Sequence, residues 1–431
     1  MKNKTLVYLF VMMLMNLSLS ASHGLKRKSN QYREPTFYQL FMRTVKAKNI
    51  PDIISDERHL MGEAKALMAA LKRYDLNAPA HRTTGWNDFV EAEWPFMAMV
   101  YGGLALCHLP EYSPNTKRQC RQWVKWALSA LKRPAMSGFV KDHFGNPFPS
   151  KGLAPKIGVF MHGHYLYLAL HAKKYLGIDD FDEDIHKIYK ATLRDYRTAE
   201  LLPSYASMYY SSDNGAALAA IALYDEVFRV STSRKIRSKS VSALRKYYLD
   251  EKSQLVCTYI NVKKKKPSST PRGTGVMYLD QFLPLIDQSF AEQQWQATKR
   301  TMVISLSKIS AEIDIMPAWL DTGLLSHLPD VPVCMEHPNT LPWLERQWGD
   351  TDSGPVVLGV STSASGFLLI AAAKNNDIKM AKSALKFAHY MGDYKWQGDY
   401  YVATNTFHEV GQAVIFYGKI LTLLAEKKAI N

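Results

Sequence analysis

Two short polar segments hold the side chains best suited to chemistry. The first reads Pro203-Ser204-Tyr205-Ala206-Ser207-Met208-Tyr209-Tyr210-Ser211-Ser212-Asp213-Asn214 and leads into an uncharged, alanine-rich stretch. A carboxyl at Asp213, buried among tyrosine rings, has its pKa raised and can trade a proton near neutral pH. Ser212 or Asp213 equally suits a helix N-cap, so both readings stand. The second is His162-Gly163-His164. Histidines at this spacing can hold a metal, but no third ligand follows, and a structural histidine is the other reading. Asp352 lies in Gly349-Asp350-Thr351-Asp352-Ser353-Gly354-Pro355, where it is either a second acid or a cap. Glu93 beside Trp94, Asp88 and His408-Glu409 are weaker acid/base candidates. Trp343, Trp348, Trp396, Tyr400 and Tyr401 are expected as aromatic walls near the same mouth, or as core.

Regular motifs are missing. There is no phosphate loop, dinucleotide fingerprint, nucleophile elbow or H-E-x-x-H. Nucleotide enzymes, serine hydrolases and zincins are therefore disfavoured, and the expected site uses neither cofactor nor metal.

The elements that must position these residues read as helices. Apolar residues recur at three-and-four spacing in Gly163–Leu176, and Gly177 then breaks the pattern. Further helices are expected at about 57–73, 91–107, 115–132, 181–197, 213–228, 234–248, 276–289, 291–309, 357–373, 377–390 and 408–426. Gly138–Lys141 and Leu255–Val262 read as short strands. Some helices, such as Gly215–Tyr224 and Val356–Ala373, carry almost no charge. Others, such as 181–197 and 234–248, are amphipathic. Uncharged helices suit an inner ring and amphipathic ones an outer ring. The expected fold is all-α, an (α/α)6-type toroid of helical hairpins forming one domain over residues 22–431.

Composition narrows the class. The 431 residues are 47% apolar and 22% charged, which excludes a disordered chain, a collagen and a coiled-coil rod. Lys2 and Lys4, an apolar run from Leu6 to Leu14, then Ser18, Ser20 and Ala21 have the order of a secretory leader over residues 1–21. Export to the periplasm or medium is expected. Removal of Lys2 and Lys4 lowers the net charge from +15 to +13 (52 − 39). On an exported protein that charge points away from nucleic acid and toward an anionic envelope surface or an acidic glycan. Cys107, Cys120, Cys257 and Cys334 lack metal-site spacing. Cys107 with Cys120 is a plausible disulfide, and four buried thiols is the alternative.

The stretch from about 144 to 228 resembles bacterial linalool dehydratase/isomerase. Gly163-His164-Tyr165-Leu166-Tyr167-Leu168 resembles that family's Gly-His-Leu helix entrance. Ser204 to Asn214 resembles its cysteine-bracketed loop, with the bracketing cysteines replaced by Ser204 and Asp213. Tyr224-Asp225 resembles the end of the following helix. More loosely, Tyr101-Gly102-Gly103-Leu104-Ala105 resembles an early inner helix, and Gly349–Lys374 a late one. The resemblance implies an exported α/α toroid, an active-site role for His164 and an oligomeric assembly. An aspartate in place of a cysteine keeps an ionisable group at that position.

The expected enzyme uses Asp213 and His164 for proton transfer, with Asp352 as second acid. Tyr101, Ser204, Tyr205, Tyr209 and Tyr210 bind the substrate. The reaction is a dehydration, isomerisation or elimination on a small hydroxylated molecule. The alternatives are a glycan hydrolase, lyase or epimerase, and an envelope protein that binds a partner without catalysis.

Overall fold

The computed structural model describes residues 50, 52–74, 76–77, 86–205, 207–309, 328–349, 351–354, 356–404 and 409–430. The leader reading, Asp350 and His408 lie outside them. Twelve helices of eight residues or more alternate between an outer and an inner ring among the described residues. The outer set is α1 (Glu57–Leu71), α3 (Lys117–Leu131), α5 (Asp182–Thr198), α7 (Arg234–Tyr247), α9 (Gln288–Thr301) and α11 (Ile378–Gly392). The inner set is α2 (Trp86–Tyr112), α4 (Val159–Leu176), α6 (Ser211–Val227), α8 (Gly273–Asp280), α10 (Thr362–Lys374) and α12 (Glu409–Ile430). Each inner helix packs on the next, and α12 packs on α2, which closes the ring. The chain is an (α/α)6 toroid, as the alternation of uncharged and amphipathic helices implies.

Local sequence explains the two rings. On α5, Asp182, Glu183 and Asp184 occupy the first turn, where they favour the helix dipole. Ile185, Ile188, Tyr189, Thr192, Leu193 and Tyr196 form its one buried face. On α6, every residue from Ser211 to Asp225 is buried, and the small side chains let neighbours approach. Gly163 shows how closely: a Cβ there would stand 3.0 Å from backbone atoms of Ala217, so α4 and α6 meet nearly backbone to backbone. Gly177 ends α4 in the left-handed conformation at φ 63°.

Several local expectations are corrected. Gly138–Val140 is a 3-10 turn, with Phe139 and Val140 buried, and no strand. In the 255–262 stretch Ile260–Asn261 (β1) is the described strand and pairs with Lys266–Pro267 (β2), while Val256 and Tyr259 make isolated bridges to Leu249 and Tyr210. The helix expected from residue 357 starts at Thr362. Before it, Val356–Val357 (β3) pairs with Val360–Ser361 (β4). Leu358 and Gly359 take φ of 51° and 77°, the two-residue hairpin turn that a helix cannot contain. Ser361 then caps α10 by accepting from Ala364 N. All four cysteines are buried and unpaired, so Cys107 and Cys120 form no disulfide. No helix among the described residues is long and apolar enough to cross a membrane.

Candidate active site

Inner helices and the turn before α10 carry the candidate residues. Asp213 lies in the first turn of α6, and His164 in the second turn of α4. Tyr278 stands on α8, Tyr101 and Glu93 on α2, and Asp352 in the 3-10 turn Thr351–Ser353.

Asp213 is not a cap. Tyr210 holds the N-cap position of α6, and no side chain caps the helix. The Asp213 carboxyl is instead 6% exposed and accepts a hydrogen bond from the Ser204 hydroxyl. Burial and the Asp352 charge push its pKa up to about 7, against the pull of Ser204. Asp352 is exposed, and Ser361, not Asp352, caps α10.

Asn214 holds the 203–210 loop in place. Its Oδ1 accepts from the Tyr196 hydroxyl and from Leu202 N, both at 2.8 Å. Its Nδ2 donates to the carbonyls of Leu202 and Tyr210, both at 2.9 Å. All four capacities of a buried amide are used, so the loop is pinned to α6. Ser204 Oγ accepts from Tyr210 N at 3.3 Å, which aims the serine at Asp213. The hydroxyls of Tyr210 and Tyr259 are hydrogen bonded to each other. Tyr209 is half-buried and joins β1 through its carbonyl, which accepts from Ile260 N at 3.1 Å. Tyr205 is buried, its ring 5.4 Å from that of Phe160.

His164 is buried and neutral at pH 7, its pKa lowered by burial to about 4. Its Nδ1 lies 2.5 Å from the carbonyl of Phe160, which can only accept, so Nδ1 carries the proton. Its Nε2 therefore accepts, and the Tyr278 hydroxyl donates to it. Tyr278 also meets Tyr101, whose hydroxyl lies 2.8 Å from Gln281 Nε2. His162 does not join this group. Its Nε2 donates to the Pro147 carbonyl at 3.1 Å, and no set of three or more metal-ligating side chains occurs among the described residues.

Charge gathers at the same place. Asp213 acts electrostatically on Tyr101, Tyr205, Tyr210 and Tyr278. Asp352 acts on Tyr205 and Tyr210, and Glu93 on Tyr205 and Tyr278. Three carboxylates thus surround one set of phenol rings. The Asp352 turn is tied down from α8: Arg272 bonds Ser353 Oγ at 2.5 Å and Glu336 Oε1 at 2.7 Å.

Asp213 lies within electrostatic reach of Asp352, Tyr101, Tyr205, Tyr210 and Tyr278, and His164 joins this set only through its hydrogen bond with Tyr278. The other aromatics lie apart. Trp396 and Tyr401 pack on His59 of α1, with ring centroids 5.0 and 4.8 Å away, and Trp348 is 64% exposed. Tyr278, Gln281 and Tyr259 were not anticipated. Tyr278 and Gln281 are three positions apart and so share one helix face, which is the signal in the sequence for that pair.

Solved structures are similar to this chain. An unsaturated glucuronyl hydrolase specific for heparin aligns with a TM-score of 0.51 at 11% identity, over 86% of this chain and 97% of that one. A family 76 glycoside hydrolase, a mannosidase from Bacteroides thetaiotaomicron, aligns at 0.46 and 10% identity, over 86% of this chain and 100% of that one. An unsaturated glucuronyl hydrolase from Streptococcus agalactiae aligns at 0.46 and 10% identity, over 93% and 99%. No protein-family model and no curated protein matches the sequence.

Proposed function

We propose that this toroid is a glycan-active enzyme working by acid/base catalysis at the Asp213 end of the ring. The observation that carries the reading is one buried carboxyl, Asp213, with a pKa near 7, beside a second carboxylate, Asp352. Cleavage of a glycosidic bond needs that pairing: a protonated acid for the leaving oxygen, and a carboxylate that activates water or meets the anomeric carbon. Asp213 is the proton donor and Asp352 the partner. Ser204 orients Asp213, and Tyr205 and Tyr210 form the sugar platform. His164 has both nitrogens engaged and acts through Tyr278, whose oxygen faces the substrate as an acceptor for a sugar hydroxyl. The toroid fold shared with a glucuronyl hydrolase supports this choice of substrate class. The basic chain and the acidic glycans of such enzymes make a uronic-acid oligosaccharide the first substrate to try. Export through the residue 1–21 leader fits an extracytoplasmic glycan and belongs to the same proposal.

A second reading has its own observation. Asp213 is ringed by phenols, which stabilise a cation as well as bind a sugar. Proton donation from Asp213 to an alcohol, followed by loss of water and then of a proton, is the dehydration that the linalool dehydratase/isomerase resemblance implies. Product analysis of a substrate panel in 18O-labelled water separates the two. Hydrolysis places the label in a new reducing end, and dehydration gives an unlabelled alkene. Absence of both products from neutral and acidic oligosaccharides and from terpene alcohols would contradict both readings.

A further inference from the structure

The other end of the ring carries a cluster that proton transfer at Asp213 does not use. There the inner helices finish, and four of them deliver titratable side chains. His108 comes from α2, His171 from α4, Lys374 from α10 and Lys428 from α12. His164 and His171 stand on the same helix, seven residues apart, so about 10 Å of helix rise separates the two groups.

The cluster is built, not scattered. His108 and His171 are 4% and 2% exposed, with ring centroids 5.2 Å apart. The Tyr417 ring lies 6.0 Å from His108, and the Lys374 ammonium 5.9 Å from the Tyr417 ring. His108 donates its Nδ1 proton to Glu111 at 2.7 Å, which leaves Nε2 as a buried acceptor without a partner. The hydroxyls of Tyr167 and Tyr417, each on a residue 1% exposed, are also without a partner. Lys374 forms no ion pair among the described residues. Its charged neighbours are Lys174 and Lys428, opposed by Glu111, and Lys174 is already paired with Glu226 at 2.7 Å.

A lysine at a helix C-terminus offsets the helix dipole, and that accounts for a basic residue at Lys374. It does not account for that half-buried amine standing beside two like charges, nor for three orphaned polar atoms nearby. Burial, with Lys174 and Lys428, lowers the Lys374 pKa to about 8. An oxyanion among these groups would cancel the repulsion and accept from Lys374 and the tyrosine hydroxyls. A protonated oxygen on it would donate to His108 Nε2.

We propose that this end of the ring is a second ligand site, which binds a small oxyanion with the chemistry of hydrogen phosphate, free or as a monoester. Lys374 and Lys428 supply the charge, and His108, Tyr167 and Tyr417 read the oxygens. The site is independent of the reaction at Asp213, so no substrate is needed to test it.

The test is calorimetric titration of the full chain at pH 7 with inorganic phosphate and, separately, glycerol phosphate, with sodium chloride at matched ionic strength as control. Saturable binding of either phosphate is expected, and the tighter of the two identifies the form. Lys374→Met weakens it by roughly tenfold or more, the cost of one charged hydrogen bond. Lys428→Gln, on an exposed residue, weakens it less and serves if Lys374→Met does not fold. Asp213→Asn leaves it unchanged. No saturable heat beyond the chloride control, or equal binding by the lysine variants, would overturn the proposal and leave these lysines as dipole partners alone.

Discussion

Tyr278 gives its hydroxyl proton to Nε2 of His164, and His164 gives its Nδ1 proton to the carbonyl of Phe160. The direction follows from the one member that cannot donate, the carbonyl. Tyr278 therefore keeps only acceptor capacity for any further partner. In the proposed mechanism the histidine positions the tyrosine.

The first prediction concerns that histidine. The folded pKa of His164 is about 4, against 6.5 for the free side chain. Unfolded chains take up the proton near pH 6.5, while the folded chain resists until about pH 4. Stability is thus lost as pH falls through that window, and His162 acts in the same direction. Between pH 7 and pH 5 each costs on the order of 2 kcal/mol of stability. Denaturant titrations at pH 7 and pH 5 check the sign, and 15N NMR of His164 at pH 7 should show a neutral ring protonated on Nδ1.

Asp213 has the opposite linkage. Its folded pKa is about 7, against an ordinary 3.8, so ionisation opposes folding. The cost is absent below pH 3.8, grows up to pH 7 and is full above it. Asp213→Asn should therefore stabilise the chain by about 1–3 kcal/mol at pH 8, and much less at pH 5. Thermal unfolding at the two pH values is the check. A destabilised variant at pH 8 would mean that the carboxylate is better solvated than its burial indicates.

Much of this was legible in the residues. Alternation of uncharged and charged helices implied the toroid because burial on all sides and burial on one face demand different side chains. Asp213 and His164 stand out as candidates because each lies in the first two turns of a helix whose body carries almost no charge. Their hydrogen-bond directions were not, since they depend on Tyr278 and Ser204, which are 114 and 9 positions away. The start of α10 was misread because Leu358-Gly359 looks apolar and small, yet adopts positive φ. The cysteine pair at 107 and 120 failed because the residues sit inside α2 and α3, each committed to core packing.

The thiols give a direct check on that correction. All four should resist a thiol reagent in the native chain and react after denaturation without reductant. Two reactive thiols under denaturing conditions would restore one disulfide.

Closure of the ring has its own test. Lys419 of α12 is fully buried, donates to the Ile54 carbonyl at 3.1 Å and pairs with buried Glu63 of α1. Lys419→Met leaves Glu63 buried without its cation and should cost about 3–5 kcal/mol. The double variant Lys419→Met with Glu63→Leu should recover most of that. Urea unfolding of the three proteins measures the coupling, and equal losses in the single and double variants would contradict it.

The central claim is that Asp213 delivers the proton in the catalysed step. Its most direct test is kcat for wild type and Asp213→Asn on the best glycan found by screening, measured from pH 5 to pH 9. Wild type should lose activity above about pH 7 as Asp213 ionises. Asp213→Asn should fall by roughly 100-fold or more, with KM little changed. An Asp213→Asn enzyme that turns over at the wild-type rate, with the same pH profile, would contradict the account.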